Sequence, residues 1–434
     1  MAPKRHGRNI VMILVAAFIV ASLVHAGDVL ARAGGGGSSS GGGGGGHSSG
    51  GSHYRSSSGS SSGGDISPLG VGVIFFVMGS FLAFMWYASD VSAKRAAQAR
   101  KERLALLEAA AAKDPAWSPA ALDARVREVF FAFQKAWSEF DADAMGTLLT
   151  KEYLKRMVLE LTVLQNLGRK NAMDDLEVLK SEITGFVDEG DDAKDRFDAT
   201  IRARAVDRIV DVRAQRTLHT DRSEFTEYWK FRREGGVWKL EGIGQSTEAS
   251  WMVEPAIADF AAKNGFYYDP DFGWLMMPDK GALFGQYAFG KADINNHVIG
   301  WYRGKVVEFY TYVSHPGADQ SVNWLVAQAI LPIEHRDILV RKRQWLMPVP
   351  AGLREIETEF GDFNKKFQVC AHPDDSIATF ELLTTNFMAK IHDLPFDLNV
   401  EVVGNVLYLY VARRDVSYAQ MLEVLSWAFD EMKM

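Results

Sequence analysis

Residues 66–89 restrict the architecture of this chain more than any other stretch, because they contain no charged residue and include the run "VGVIFFVMGSFLAFMWY". About 20 apolar residues are enough for a helix to cross the hydrocarbon core of a bilayer. Trp86 and Tyr87 fall at one end of the run, where aromatic side chains favour the membrane interface. The sequence therefore predicts one transmembrane helix over residues 66–89.

The charges that flank this segment predict its orientation. Arg55 and Asp65 precede it, whereas a basic cluster follows it, consisting of Lys94, Arg95, Arg100, Lys101 and Arg103. Because basic residues remain on the cytoplasmic side, the later domains are predicted to be cytoplasmic, on a single-pass protein of a bacterial inner membrane. Residues 90–118 are predicted to form a basic helical stalk. Its cluster would lie against anionic lipid headgroups, and a purely solvated helix is the alternative.

The N-terminal segment, residues 1–33, has the pattern of a signal peptide. Basic residues precede an apolar run from Ile10 to Val24, and small residues at alternate positions follow it. If the segment is not cleaved, the same run would be a first membrane anchor. Residues 34–65 are almost entirely Gly and Ser and are predicted to be a flexible linker. Either alternative leaves this linker outside the cytoplasm.

Composition limits the remaining classes of function. The net charge of -7 argues against nucleic-acid binding, because no broad basic surface is available for phosphates. The single cysteine, Cys370, excludes an intramolecular disulfide and a cysteine-rich zinc site. At 434 residues and 47% hydrophobic content, the chain is long enough for two or three domains with sizeable cores.

An aromatic stripe dominates the start of the first cytoplasmic domain, residues 119–250. Its members recur at steps of three and four, which predicts one face of a helix: Val126, Phe130, Phe133, Trp137 and Phe140. A second helix is predicted between a Thr150 cap and Gly168. From Glu177 the pattern alternates in strand fashion, with turns at Gly190 and at Gly235-Gly236. Helices followed by an antiparallel meander predict an α+β domain.

The residues of this domain resemble a known family. The matching pieces are Phe133-Gln134, Trp137, Asp141, Leu148-Leu149-Thr150, Tyr153, Glu227-Tyr228-Trp229-Lys230-Phe231-Arg232 and Gly236-Val237-Trp238-Lys239-Leu240. Together they are similar to the C-terminal domain of the mitochondrial inner-membrane translocase subunit 44 family and its bacterial membrane-anchored relatives. The resemblance implies a cone-shaped, cystatin-like or nuclear-transport-factor-like fold. It also implies a hydrophobic pocket that binds lipid or protein at a membrane, and it does not imply catalysis.

Seven side chains are the candidates for lining that pocket: Phe130, Phe133, Trp137, Leu149, Tyr153, Trp229 and Trp238. The alternative for each is ordinary core packing. The competing function is a hydrolase or isomerase that uses a carboxylate in the pocket, with Asp141, Asp143 and Glu227 as candidates. Glu227 shares the strand face of Trp229. We nevertheless expect it at an exposed strand end, paired with an Arg such as Arg202 or Arg204.

Residues 251–434 are predicted to form a second α+β domain. Helices are expected at "EPAIADFAAKNGF", around 376–392 and at the C-terminus, and Gly404-Asn405 is expected to be the turn of a strand pair. The pieces "GWYRGKVVEFYTY", "EFGDFNKKFQV" and "VEVVGNVLYLYV" resemble a family of membrane-associated bacterial domains that carries no known activity. His372 and Asp374 are interpreted as part of a hydrogen-bonded turn rather than as metal ligands.

These patterns predict a membrane-anchored adaptor or binding protein without a catalytic residue, metal or cofactor. The expected partners are membrane lipids, and membrane-protein or translocation partners are the alternative.

Overall fold

The computed structural model describes residues 94–244, 253–270, 281–284, 294–317, 320–344, 348–374, 382–413 and 416–433. The predicted signal segment 1–33, linker 34–65 and transmembrane helix 66–89 lie outside these residues. Within the described ranges, no helix combines the length and the hydropathy needed to cross a membrane.

Four helices open the described chain. They are α1 (residues 94–111), α2 (Pro119–Glu139), α3 (Ala142–Leu148) and α4 (Lys151–Asn166). Thr150 caps α4 as predicted, because its side-chain oxygen accepts a hydrogen bond from the backbone N–H of Tyr153. Phe140 has a φ of 57° and lies one residue beyond α2. The last ring of the predicted stripe is therefore not on the helix.

The first sheet is antiparallel and follows these helices; β3 and β4 pair with successive parts of β2 rather than with each other, so the sheet departs from the simple meander predicted. Its strands are β1 (Arg169–Val187), β2 (Arg196–Asp211), β3 (Arg216–Asp221), β4 (Glu224–Glu234) and β5 (Val237–Gly244). The order is β1-β2-β4-β5, with β3 beside β2. Burial alternates along β2 and β4, so one face of the sheet is interior. Gly235 and Gly236 have positive φ at the predicted turn.

The described residues of 253–433, which we call the second domain, also combine helices with a sheet; the domain boundary near residue 250 remains a prediction. Its elements are α5 (Pro255–Asn264), β6 (Tyr267–Asp269), β7 (Ile294–Tyr302), β8 (Lys305–Gly317), β9 (Gln320–Lys342), β10 (Arg354–Ile356), α6 (Gly361–Lys366), β11 (Phe367–Ala371), α7 (Thr385–His392), β12 (Asn399–Ala412) and α8 (Tyr418–Glu431). The sheet order is β10-β11-β9-β8-β7-β6, with β12 beside β9.

The predicted turn at Gly404-Asn405 is wrong. Residues 399–412 form one strand, β12, which pairs along its length with β9. Gly404 has a φ of 59° and lies opposite His335, where the register shifts. A bulge of this kind bends a strand without ending it. β12 therefore follows its long partner across a position at which a Gly-Asn pair is typical of a hairpin.

The second sheet separates two hydrophobic cores. On one face, α5, α7 and α8 pack on residues such as Val298, Phe309 and Leu409. The other face carries the tyrosines Tyr310, Tyr312, Tyr408 and Tyr410, together with Leu283 and Phe284. Leu167, at the end of α4, packs against this tyrosine-rich core. The tyrosine face is thus the side on which the second domain meets the first.

Candidate functional site

Four of the seven predicted pocket residues form one aromatic cluster in the interior of the first domain. Phe130 and Phe133 of α2 have ring centroids 5.4 and 5.8 Å from Trp229 of β4. Trp137 is 6.3 Å from Phe133. All seven candidates are buried, with exposures from 0% to 7%: Phe130, Phe133, Trp137, Leu149, Tyr153, Trp229 and Trp238. Burial is the outcome that the core interpretation predicts, and lining of a ligand pocket remains a prediction.

Polar partners hold two of these rings in place. The indole N–H of Trp137 donates to Asn171 Oδ1 at 3.1 Å, and Asn171 Nδ2 donates in turn to Asp207 Oδ1 at 2.5 Å. The indole N–H of Trp229 donates to Glu227 Oε2 at 2.8 Å. A buried indole requires such an acceptor. Both tryptophans are therefore fixed in orientation as well as packed.

The expected exposure of Glu227 is wrong, because this side chain is fully buried. Glu227 pairs with Ile201, which is also fully buried, so strand alternation places both on the interior face. The two arginines expected as its partners bind elsewhere, Arg202 to Glu224 and Arg204 to Glu177. The two-residue period of the strand, rather than the preference of a carboxylate for water, decides the position of this side chain.

The other two carboxylates proposed for an enzyme do not reach the interior. Asp141 caps α3 by accepting a hydrogen bond from the backbone N–H of Ala144 at 2.9 Å. Asp143 is exposed in the first turn of that helix. Both positions suit helix capping and the helix dipole rather than acid or base chemistry in a pocket.

Gln134 of α2 is an interior polar group with unused hydrogen-bonding capacity. It is only 2% exposed, and neither its side-chain oxygen nor its nitrogen has a hydrogen-bond partner among the described residues. Ser138 Oγ, one turn further along α2, and Ser181 Oγ on β1 are also buried without such a partner. An unsatisfied buried polar group costs about 1 to 3 kcal/mol. Gln134 is thus a polar position in an aromatic interior that a ligand group or water would satisfy.

A second group of buried polar residues lies where the two domains meet, and we call it the interdomain seam. Arg156 of α4 donates from Nε to Glu160 Oε1 and from Nη2 to Asp269 Oδ2 of β6, both at 2.8 Å. Glu160 has no exposed surface. Its burial raises the pKa of the carboxyl, and the charge of Arg156 opposes that rise. One guanidinium therefore joins carboxylates of both domains.

The seam continues on the tyrosine face of the second sheet. His297 Nε2 lies 3.1 Å from Glu308 Oε1, and Gln328 Nε2 donates to Glu308 Oε2 at 2.6 Å. The hydroxyl of Tyr310 donates to Gln328 Oε1 at 3.0 Å. These four side chains are at most 3% exposed. His297 also lowers the pKa of Glu160, so the two halves of the seam interact electrostatically.

Glu401 of β12 is another buried carboxyl of the second domain. It accepts a hydrogen bond from the backbone N–H of Ala282, and the hydroxyl of Tyr410 lies 3.4 Å from its Oε2. Phe284 lies two residues after Ala282 in the chain, and its ring centroid is 5.0 Å from that of Tyr312. Burial raises the pKa of Glu401 to about 7, although the backbone hydrogen bond opposes the rise. Glu401 therefore titrates in the neutral range.

The predicted membrane-surface cluster lies on α1. Four of its members are exposed, namely Lys94, Arg95, Arg100 and Lys101, whereas Arg103 is half-buried. Their contact with lipid remains a prediction.

In the second domain, the backbone N–H of Asp374 donates to His372 Nδ1 at 3.3 Å, which confirms the hydrogen-bonded turn.

Sequence reasoning missed the interdomain seam altogether. Its charged residues are scattered over α4, β6, β7 and β8, and no local motif connects them. The available signal was a charged residue inside an apolar run, as with Glu308 in "KVVEFYTYV". A charged side chain on a strand of this kind is buried only when it is paired.

One of the comparisons with known proteins falls on the first domain. Residues 104–252 match the family model described as Tim44-like domain. The crystal structure of the mycobacterial trehalose monomycolate transport factor A, TtfA, is similar at 13% identity and a TM-score of 0.29, over 41% of this chain and 92% of that chain. The intermembrane space region of chloroplast protein ARC6 is similar at 16% identity and a TM-score of 0.23, over 28% of this chain and 94% of that chain. No curated protein matches this chain significantly in sequence. The family match concerns residues 104–252 alone.

Proposed function

We propose that this chain, whose residues 104–252 form a Tim44-like domain, is a membrane-anchored binding protein that holds lipid in the hydrophobic interior of that domain. The anchor is the predicted transmembrane helix at residues 66–89. The domains after this helix would lie at the cytoplasmic face of a bacterial inner membrane, where the basic cluster on α1 would touch anionic headgroups.

The orphaned amide of Gln134 carries this proposal. An aromatic interior that served only as a core would be more stable with an apolar side chain at this position. Ligand sites, in contrast, are mainly apolar and contain a few polar groups that orient the ligand. Phe131, which is adjacent to the stripe, is 44% exposed and lies 5.6 Å from the ring of Phe130. It gives the buried rings an apolar connection to the domain surface.

Native mass spectrometry of the detergent-purified full chain tests the proposal. We expect a species with bound lipid that survives delipidating detergent washes, because a lipid buried among aromatic rings exchanges slowly. Lipid extracted from the same sample identifies the class. If the protein emerges free of lipid under the mildest detergent conditions, lipid binding is refuted and protein partners become the leading alternative.

The competing enzyme hypothesis has one observation in its favour, the burial of Glu227. However, its carboxylate accepts the indole N–H of Trp229, which is a structural role for a buried acid. Asp141 and Asp143 contribute nothing to the interior. Binding without catalysis therefore fits the interior better than acid or base chemistry does.

A further inference from the structure

Two polar side chains on one edge of α2 share an unusual environment. Gln134 and Ser138 are four residues apart, so they are neighbours on the helix surface. The side-chain atoms of both are buried and have no hydrogen-bond partner among the described residues. Phe130, one turn before Gln134, belongs to the aromatic interior through its contact with Trp229. The pair thus borders the rings that the proposed lipid would contact.

Both side chains of the pair are uncharged, and each can donate and accept hydrogen bonds. A Gln amide offers two donor hydrogens and an acceptor oxygen, and a Ser hydroxyl offers one donor and an acceptor. Neither supplies a positive charge for a phosphate or a carboxylate, and a buried charge without a partner is strongly disfavoured. The nearest functional match is an ester, an amide or a hydroxyl group.

Two buried acids on the sheet side of the interior already accept hydrogen bonds. Glu227 accepts from the indole of Trp229, and Asp207 accepts from Asn171. They are therefore poor candidates for binding a cationic headgroup. An uncharged group remains the best match to the side chains that have unused hydrogen-bonding capacity.

We propose that Gln134 and Ser138 bind the uncharged linkage of a lipid, an ester, amide or hydroxyl group, while the acyl chain lies among the aromatic rings. This inference rests on the proposed lipid binding and adds the chemical class of the group that is recognised. Any charged headgroup of the same lipid stays outside the interior.

The test replaces Gln134 in the full chain with Leu, which keeps a similar volume and removes all hydrogen-bonding atoms. Native mass spectrometry measures the fraction of detergent-purified protein that retains lipid, and thermal unfolding is measured in parallel. We expect lipid affinity to fall about tenfold, equivalent to about 1.4 kcal/mol, while the melting temperature of the lipid-free protein does not fall. The matched control is Gln165→Leu, the same change at an exposed position of α4, which should retain lipid like the wild type.

Two further variants keep the test decisive. Gln134→Met is used if the Leu variant does not fold, because it also lacks the amide and adapts its shape. Gln134→Glu places a charge at the site and should lose lipid more completely than Leu. If the apolar variants retain lipid at wild-type occupancy, or if the retained lipid is a free fatty acid, the inference is overturned while lipid binding stands. A wild-type protein without lipid would refute the proposed function as well.

Discussion

Replacement of Glu401 by Gln should remove most of the dependence of stability on pH in the neutral range. In the folded protein the pKa of this carboxyl is raised from 4.5 to about 7, chiefly by burial. The folded state therefore holds a proton that the unfolded chain releases. The free energy of unfolding that this group contributes is fully present at pH values below the pKa of the unfolded chain. It is lost as the pH rises through the pKa of the folded state.

The magnitude follows from the two pKa values. A rise from 4.5 to about 7 is equivalent to about 3.4 kcal/mol in full. About 2.5 kcal/mol of this is lost between pH 5 and pH 8, where the unfolded carboxyl is ionised and the folded one becomes so. The pKa of Glu160 is raised as well, so it contributes in the same direction. The Gln variant keeps an acceptor oxygen for the backbone N–H of Ala282, and it does not titrate.

Urea titrations of the detergent-solubilised full chain at several pH values would measure this effect. Between pH 5 and pH 8, the free energy of unfolding of the wild type should fall by about 2.5 kcal/mol more than that of the Glu401→Gln variant. Glu355→Gln is the control, because hydrogen bonds from Gln368 and Arg343 lower the pKa of Glu355, and it does not titrate in this window. If wild type and Glu401→Gln lose the same free energy over that range, burial does not control the titration of Glu401 and the explanation is wrong.

Four further predictions concern the interior, the seam and the topology. Trp137→Ala should destabilise the fold by about 3 to 5 kcal/mol in denaturant unfolding, because the ring is 1% exposed. This outcome would assign Trp137 to the core rather than to the lipid contacts, and a much smaller loss would make it part of an open cavity wall. Arg156→Met and Asp269→Asn should each destabilise by several kcal/mol, roughly 3 to 5 for the arginine, and the double variant should lose less than the sum. Strict additivity in that cycle would contradict a shared interaction. Glu227→Gln should shift stability by less than about 1.5 kcal/mol and leave lipid occupancy unchanged, because Gln still accepts from Trp229. A reporter that is active only in the cytoplasm should be active after Met434, and activity of an exported-only reporter there would reverse the topology.

Local rules predicted the local structure well. The Thr150 cap, the Gly235-Gly236 turn and the aromatic face of α2 depend on residues a few positions apart, and each was predicted from spacing alone. Gly404 was misread because a bulge and a hairpin turn use the same conformation, and only the partner strand decides between them. The prediction for Glu227 is wrong because the alternation of the strand, and not the residue type, decides which face its side chain occupies.

The candidate site was predicted only in part for a physical reason. The aromatic rings are evident from periodicity, but the lack of a partner for Gln134 depends on everything packed around it. The interdomain seam is further from local rules, because Arg156 and Asp269 are 113 positions apart in the chain. A polar contact over that separation leaves no periodic pattern in either segment.

The interdomain seam also limits how such a protein can be rearranged by recombination or by design. A fragment that ends near residue 250 would expose the guanidinium of Arg156 without Asp269, and the remaining fragment would expose His297, Glu308 and the tyrosine face to water. Each half would lose the Arg156–Asp269 ion pair as well as the contact area buried at the seam. The two domains are therefore expected to be transferred together as one unit. A Tim44-like domain that is transferred alone would need new surface residues at each seam position.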